Sequence, residues 1–326
     1  MTIWTPRQGQ PFLDASFPLP LDRPFTRQHA LASGITPWVL RHLVDVGLVR
    51  RLVRGVYVAA QVVDSVPMRA RALSLVVPRT AVVTDWTACW FWTGIDAPGA
   101  HERAPELYVF HRNPHTRLHN GLSIGGARSF SPGDLVVVEG VSLTSPLRTA
   151  CDIGRLFHRD RAIGAIDALL RHGTFDLDHL VLEVERFKGM RGVRQLRALA
   201  PLADARAESP GESTLRLRWL DEYTLPAPTP QVPIIVDGVE VYRIDLGVPE
   251  LRYGCEYDGA LHHGPGQKAK DRARLKDLFE RFGWDVEPAR RRNVFGPTRD
   301  VEEMLHDGVR RNRLRAGLRA WPYDAA

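Results

Sequence analysis

The alternation of apolar and polar positions divides the chain into three regions. In the first, Thr26 stands before RQHALASG, a short helix that ends at Gly34, and Thr36-Pro37 supplies the N-cap and first residue of a second helix that stops at Gly47. Val39, Leu40, Leu43 and Val44 recur three and four apart as its buried stripe, which leaves Arg41 and His42 facing outward. Two short helices joined by a tight turn read as a helix-turn-helix, and the outward residues would enter a major groove. LVRRLVRGVYVA then alternates as a hairpin, with Arg50, Arg51 and Arg54 near its tip.

From about residue 68 to 200 the periods are mixed. AVVTDWTACWFWTG predicts a buried helix with Trp86, Trp90 and Phe91 in the core. ELYVFH, LSIGGARSF and DLVVVEGVSLTS read as strands, PLRTACDIGRLF and DRAIGAIDALLRHG as helices. His111, His115 and His119 lie four apart, but Asn113, Pro114 and Gly121 break the helix that would align them, so no metal site is expected there. ADARAESPG, after Pro201, reads as a linker.

The third region carries the candidate chemistry. Ser209-Pro210-Gly211-Glu212 is a capping box that starts a helix near 210 to 223, with Leu215, Trp219, Leu220 and Tyr223 at helical spacing. IDLGV and RYGCEY are two adjacent strands, and a turn at Glu250 and Leu251 places Asp245 directly opposite Glu256, with Cβ atoms about 5 Å apart. Asp258 lies two residues further on and points to the same face as Glu256. Three carboxylates crowded together repel unless a cation sits among them, and a hard divalent ion such as Mg²⁺ or Mn²⁺ takes oxygen ligands of this kind. On an ordinary hairpin the same acids would simply face solvent. Two neighbours favour chemistry: His262 and His263 follow in DGALHHGPG, and a basic helix comes next. That helix, near 268 to 282, turns Leu275, Leu278, Phe279 and Phe282 inward and Lys268, Arg272 and Lys276 outward in one stripe. Glu212 has two readings, as helix cap or as a further metal ligand, and its position alone does not choose between them.

Composition narrows the setting. The chain has 326 residues, room for two or three domains, with 44% hydrophobic and 25% charged residues as in ordinary globular proteins. It holds no apolar run of membrane-spanning length, no basic-then-apolar leader, and three cysteines too far apart for a zinc finger or disulfide frame, which points to the cytoplasm. The net charge is +6, and Lys and Arg outnumber Asp and Glu from Lys268 onward, notably at Arg290-Arg291-Arg292 and at RRNRLR. Cations beside an acid cluster suit a protein that holds a phosphodiester backbone.

ESPGES, RIDLGVPE, EYDGALHH and KDRARLKDLFERFGWDV together resemble the nuclease domain related to very-short-patch repair endonucleases, within the PD-(D/E)xK superfamily. The likeness runs from about Glu208 to Val286, roughly a quarter of the chain. It implies that Asp245 and Glu256 bind Mg²⁺, that Glu212 completes the set, and that His262 or His263 serves as base or leaving-group acid. Asp258 stands where the superfamily usually carries lysine, a departure that bears directly on activity. TRQHALASGITPWVLRHLVDVGLVRRLVRGVYV resembles the winged-helix domain of AbiEi-type antitoxins, with VSLTSPLRTACDI the nearest middle piece.

The expected fold is α+β and multidomain: a winged helix over 1–67, a mixed α/β middle domain over 68–200, and a restriction-endonuclease-like α/β/α domain over 205–326. The expected function is Mg²⁺-dependent cleavage of DNA. The alternative is a DNA-binding, antitoxin-like regulator with a toxin or defence-system partner, in which the nuclease fold is not catalytic.

Overall fold

The computed structural model describes residues 4, 9, 11–96, 105–113, 123–259 and 265–318. The fold is α+β, with three sheets among the described residues. It divides into two compact units, Met1–Ile153 with His172–Asp176, and Gly154–Arg171 with Leu177–Ala326. No described helix is long and apolar enough to cross a membrane.

The first unit begins with β1 (Phe25–Thr26), α1 (Arg27–Ala32), α2 (Pro37–Asp45), β2 (Val49–Val53) and β3 (Val56–Ala59). The caps read from the sequence are in place. Thr26 Oγ1 accepts the His29 N–H at 3.1 Å, and Thr36 Oγ1 accepts that of Val39 at 3.2 Å. The three strands form an antiparallel sheet in the order β1-β3-β2. Val39, Leu40 and Leu43 of α2 pack with Phe25, Val49 and Tyr57, while Leu52, Val53, Val56 and Val58 join a second core with Leu73, Phe91, Leu107 and Leu143. The β2–β3 hairpin is therefore covered on both faces.

That second core holds α3 (Val66–Ser74), β4 (Ala81–Val83), α4 (Asp85–Thr93), β5 (Leu107–His111), β6 (Ser123–Ile124), β7 (Leu135–Val138) and β8 (Val141–Thr144). Its sheet is mixed, in the order β6-β5-β4-β8-β7. Two segments differ from expectation. Ala81–Val83 is a strand, paired with β5 and β8, and the helix starts only after Thr84. DLVVVEGVSLTS folds as two strands about Glu139-Gly140, both left-handed (φ 48 and 80), the backbone that a two-residue hairpin turn requires. α5 (Pro146–Leu156) carries the chain onward.

The second unit comprises α6 (Arg159–Arg171), α7 (Leu177–Glu183), α8 (Val193–Leu199), α9 (Pro210–Asp221), β9 (Thr229–Val236), β10 (Val239–Val248), β11 (Tyr253–Asp258), α10 (Pro265–Phe282), β12 (Asp285–Arg290), α11 (Arg291–Val294) and α12 (Val301–Arg315). Its sheet runs β12-β11-β10-β9, with β12 parallel to β11 after the α10 crossover and the other pairs antiparallel. Leu215 and Trp219 of α9 and Val301 and Leu305 of α12 pack on one face with Leu246, Tyr253 and Cys255. Leu278 of α10 packs on the other with Val232, Ile244 and Val286.

Helix α9 is buried on more than its apolar side, because α6 covers the polar one. Arg216 pairs with Asp167 at 2.7 Å, Arg218 with Asp160, and Arg159 with Asp221 at 2.8 Å. Gly164 permits the approach, since a Cβ there would meet Pro210 at 2.8 Å. Phe279, expected to turn inward, is exposed instead and lies beneath the Arg315 guanidinium at 4.6 Å, and Tyr223, beyond the end of α9, is exposed too. The 203–208 stretch is packed rather than slack, for Ala203 and Ala207 are buried and the Asp204 N–H donates to Asp167 at 2.8 Å. Cys89, Cys151 and Cys255 are buried, unbridged thiols, as expected.

Candidate functional site

The acid cluster forms where β10, β11 and the start of α9 meet. The β10–β11 ladder pairs Val248 with Tyr253, Gly247 with Gly254 and Leu246 with Cys255, the register that brings Asp245 opposite Glu256. The turn is a single 3₁₀ turn, Pro249–Leu251, closed by Arg252 in the left-handed region (φ 48). Beyond Leu246 the Asp245 carboxylate itself accepts the Tyr257 N–H, at 3.0 Å. Ile244 packs on the α10 side of the sheet and Leu246 on the α9 side, so the strand turns over at Asp245. The facing residue of β9, between the partners of Ile244 and Leu246, is Gln231, and it too is left-handed (φ 55). Strain of this kind in a non-glycine residue persists where the surroundings impose it, commonly at functional sites.

Gly211 brings the third carboxylate in. A Cβ at that position would lie 2.1 Å from the Tyr257 ring, so only glycine lets the first turn of α9 settle there. Glu212 takes its expected place at the start of α9, where its N–H donates to the Ser209 cap at 3.2 Å. Its side chain accepts from the Glu208 N–H at 2.9 Å and from the Gln231 amide at 3.0 Å, both at Oε2. Glu256 is gripped by Arg274 of α10: Nη1 donates to Oε2 and Nη2 to Oε1, each at 2.7 Å, and Nη2 also reaches the Arg243 carbonyl at 2.8 Å.

Burial pushes Asp245 up to about 7, and the charges of Glu212 and Glu256 push the same way; the Tyr257 N–H and Arg274 only partly oppose them. With all three ionised, the carboxylates against one guanidinium leave two negative charges, which one divalent ion would balance; without an ion Asp245 keeps a proton up to about pH 7. Every donor is a hard oxygen, so this set fits Mg²⁺ or Mn²⁺ in kind. As the side chains stand, no three acidic, imidazole or thiol groups converge at ligating distance among the described residues. Holding an ion would require Glu212 or Glu256 to turn inward.

The other expected site residues are dispersed. Asp258 pairs with Arg290, its β12 neighbour, at 3.5 Å, and the acids acting on Asp245 are Glu212 and Glu256. The crowding of three acids is thus real, but its third member is Glu212. Asp258 and Arg290 are register partners on the parallel β11–β12 pair, which puts the two side chains together. His262 and His263 lie outside the described residues, as do His115 and His119, whereas His111 is buried on β5. Arg272 and Lys276 are exposed on α10 as expected; Lys268 belongs to the same helix. Arg274 and Gln231 escaped sequence reasoning. Arg274 had one signal, its position four residues before the buried Leu278; a left-handed glutamine has none.

In the first unit, Arg41 and His42 are exposed on α2, as expected. Trp38, not anticipated, is 70% exposed and stacks on His42 with ring centroids 5.7 Å apart. The hairpin arginines are less open than expected. Arg50 donates to the Val62 carbonyl at 2.6 Å, and Arg51 is half-buried over the Tyr57 ring. Only Arg54 is exposed, and its backbone N–H is held by the Pro105 carbonyl at 3.0 Å. Covering both faces of the hairpin draws the other two in.

No family model matches the chain. It is 37% identical over 152 residues to uncharacterized proteins of Mycobacterium tuberculosis strains CDC 1551 / Oshkosh and H37Rv, a stretch covering 46% of this chain and 55% of each relative. The chain spans about half the length of the curated relatives it matches.

Proposed function

We propose that the second unit is a metal-dependent endodeoxyribonuclease of the PD-(D/E)xK type, that the first carries a winged helix which delivers it to duplex DNA, and that the protein works in the cytoplasm. The observation that carries this reading is the meeting of Glu212, Asp245 and Glu256, from one helix and two strands, with Asp245 raised to about 7. A mixed sheet with α9 and α12 on one face and α10 on the other agrees with the restriction-endonuclease-like α/β/α plan. So does the parallel crossover through α10.

In this reading Asp245 and Glu256 hold Mg²⁺ or Mn²⁺, and Glu212 completes the set with its carboxylate oriented by Gln231. The bound ion would polarise the scissile phosphate and lower the pKa of a water. His262 or His263 accepts or returns the proton. Lys268, Arg272 and Lys276 along α10 hold backbone phosphates, while Arg41, His42 and Arg54 engage the duplex, with Trp38 as an apolar contact beside them. The test is nicking of supercoiled plasmid with Mg²⁺ or Mn²⁺. Wild type should nick, and Asp245→Ala should lose at least about 100-fold in rate while retaining duplex binding. Equal nicking by both proteins would remove the assignment.

One observation favours a second reading. Arg274 engages both oxygens of Glu256 while Asp258 replaces the usual lysine, as suits a non-catalytic nuclease fold in an antitoxin-like regulator with a toxin or defence-system partner. Salt-sensitive duplex binding with no cleavage would decide for it.

A further inference from the structure

We infer that Arg274 is the positioning residue of the carboxylate cluster and brings the positive charge that lysine brings elsewhere in the superfamily; this rests on the nuclease reading above. Asp258, at the lysine position, is itself an acid and pairs with Arg290. Arg274 reaches Glu256 from a different element, α10, and its charge also acts on Asp245. Its two nitrogens meet the two Glu256 oxygens at 2.7 Å each, a fork that fixes the plane of the carboxylate as well as its place. The guanidinium is held in turn by the Arg243 carbonyl at 2.8 Å and lies 5.7 Å from the centre of the Tyr242 ring.

A purely structural ion pair needs no further charge nearby. Here the pair stands beside Asp245 and Glu212, and with Arg274 included the group still has more acid than base, which holds Asp245 raised to about 7. A guanidinium stays protonated at every physiological pH, so Arg274 cannot act as a base. Its contribution is orientation of Glu256 and a fixed positive charge. Both act through Glu256, and the charge also opposes uptake of a second cation at the same carboxylate.

The experiment is calorimetric titration with Mn²⁺ alongside plasmid-nicking kinetics, for wild type, Arg274→Gln, Arg274→Lys and Asp245→Asn. Arg274→Gln should bind Mn²⁺ about tenfold more tightly, since a competing charge is gone. Its kcat for nicking should fall about 100-fold with KM for plasmid within about threefold of wild type. Arg274→Lys, which keeps the charge and loses the fork, should retain the wild-type Mn²⁺ affinity and recover only part of kcat. A folded Arg274→Gln with wild-type Mn²⁺ affinity and kcat would overturn the inference. Should Arg274→Gln fail to fold, Arg274→Lys with a wild-type kcat would do the same. Failure of the underlying reading looks different: Mn²⁺ uptake by Asp245→Asn equal to wild type, or none by wild type, shows that the cluster holds no metal, and the inference falls with it.

Discussion

In the first unit Asp85, Asp134 and Asp152 lie with Arg128 and Arg148 in one buried network; in the second, Glu212, Asp245 and Glu256 share a single arginine. Arg128 forks onto Asp85 at 2.8 and 3.0 Å and reaches Asp152 at 3.1 Å. Arg148 binds Asp152 at 2.8 Å, Asp134, and the Ser129 carbonyl at 3.3 Å. Every acid in that network has a direct guanidinium partner, and Arg128 lies over the Phe110 ring at 3.9 Å. Of Glu212, Asp245 and Glu256, only Glu256 is in contact with a guanidinium among the described residues. Asp245 accepts a backbone N–H and Glu212 an amide and a backbone N–H, so the repulsion among them is only partly relieved. Burying acids does not by itself mark a site. What separates the two groups is the balance of charge, matched in the first and short of positive charge in the second.

The largest expected effect comes from breaking the matched network. Arg128→Met leaves Asp85 and Asp152 buried with one partner fewer and should cost about 3–5 kcal/mol in urea unfolding. Divalent metal should restore none of that stability. A loss below about 1 kcal/mol would mean that the network is not what holds the first unit together.

The mismatched cluster should give an effect of opposite kind, visible in pH. The folded pKa of Asp245 is raised to about 7 from an unfolded value of 3.8, so the native state keeps a proton that the unfolded chain has lost between those values. Stability of the metal-free protein should therefore fall as pH rises through that window and level off above about 7. Between about pH 5 and 7.5 the fall should be roughly 2 kcal/mol. Asp245→Asn, neutral throughout, should lack this component. Parallel pH profiles for the two proteins would place the raised titration elsewhere.

The smallest effect sharpens the contrast at Gln231. Gln231→Gly loses the hydrogen bond to Glu212 but relaxes a left-handed backbone, and the two should offset to within about 1 kcal/mol. A loss above about 2 kcal/mol, read from urea unfolding, would show that the amide holds more than Glu212 in place.

Much of the scaffold around the cluster was legible. Thr26, Thr36 and Ser209 each cap the helix expected of them, and the 250–251 turn set the β10–β11 register. Caps and hairpin turns are decided within a few residues, so a linear reading can find them. Other features depend on distant partners. Ala81–Val83 is too short to show a strand period and becomes one only because β5 and β8 flank it. Arg216 and Arg218 of α9 are buried only because α6 supplies Asp167 and Asp160. Phe279 reads as core, yet the sheet-facing surface of α10 is filled by Leu278 with Leu275 and Phe282.

Which residues start and stop the helices, and that Asp245 and Glu256 lie opposite each other across a hairpin, follow from local backbone geometry and a side-chain period of two, and could be read from the chain alone. The rest of the cluster came from packing between elements. Glu212 enters because Gly211 lets α9 settle on Tyr257, and Arg274 because packing of Leu278 turns that side of α10 toward the sheet. Asp258 goes to Arg290 instead. These are contacts between elements far apart in the chain, and their charges act through space rather than along the sequence.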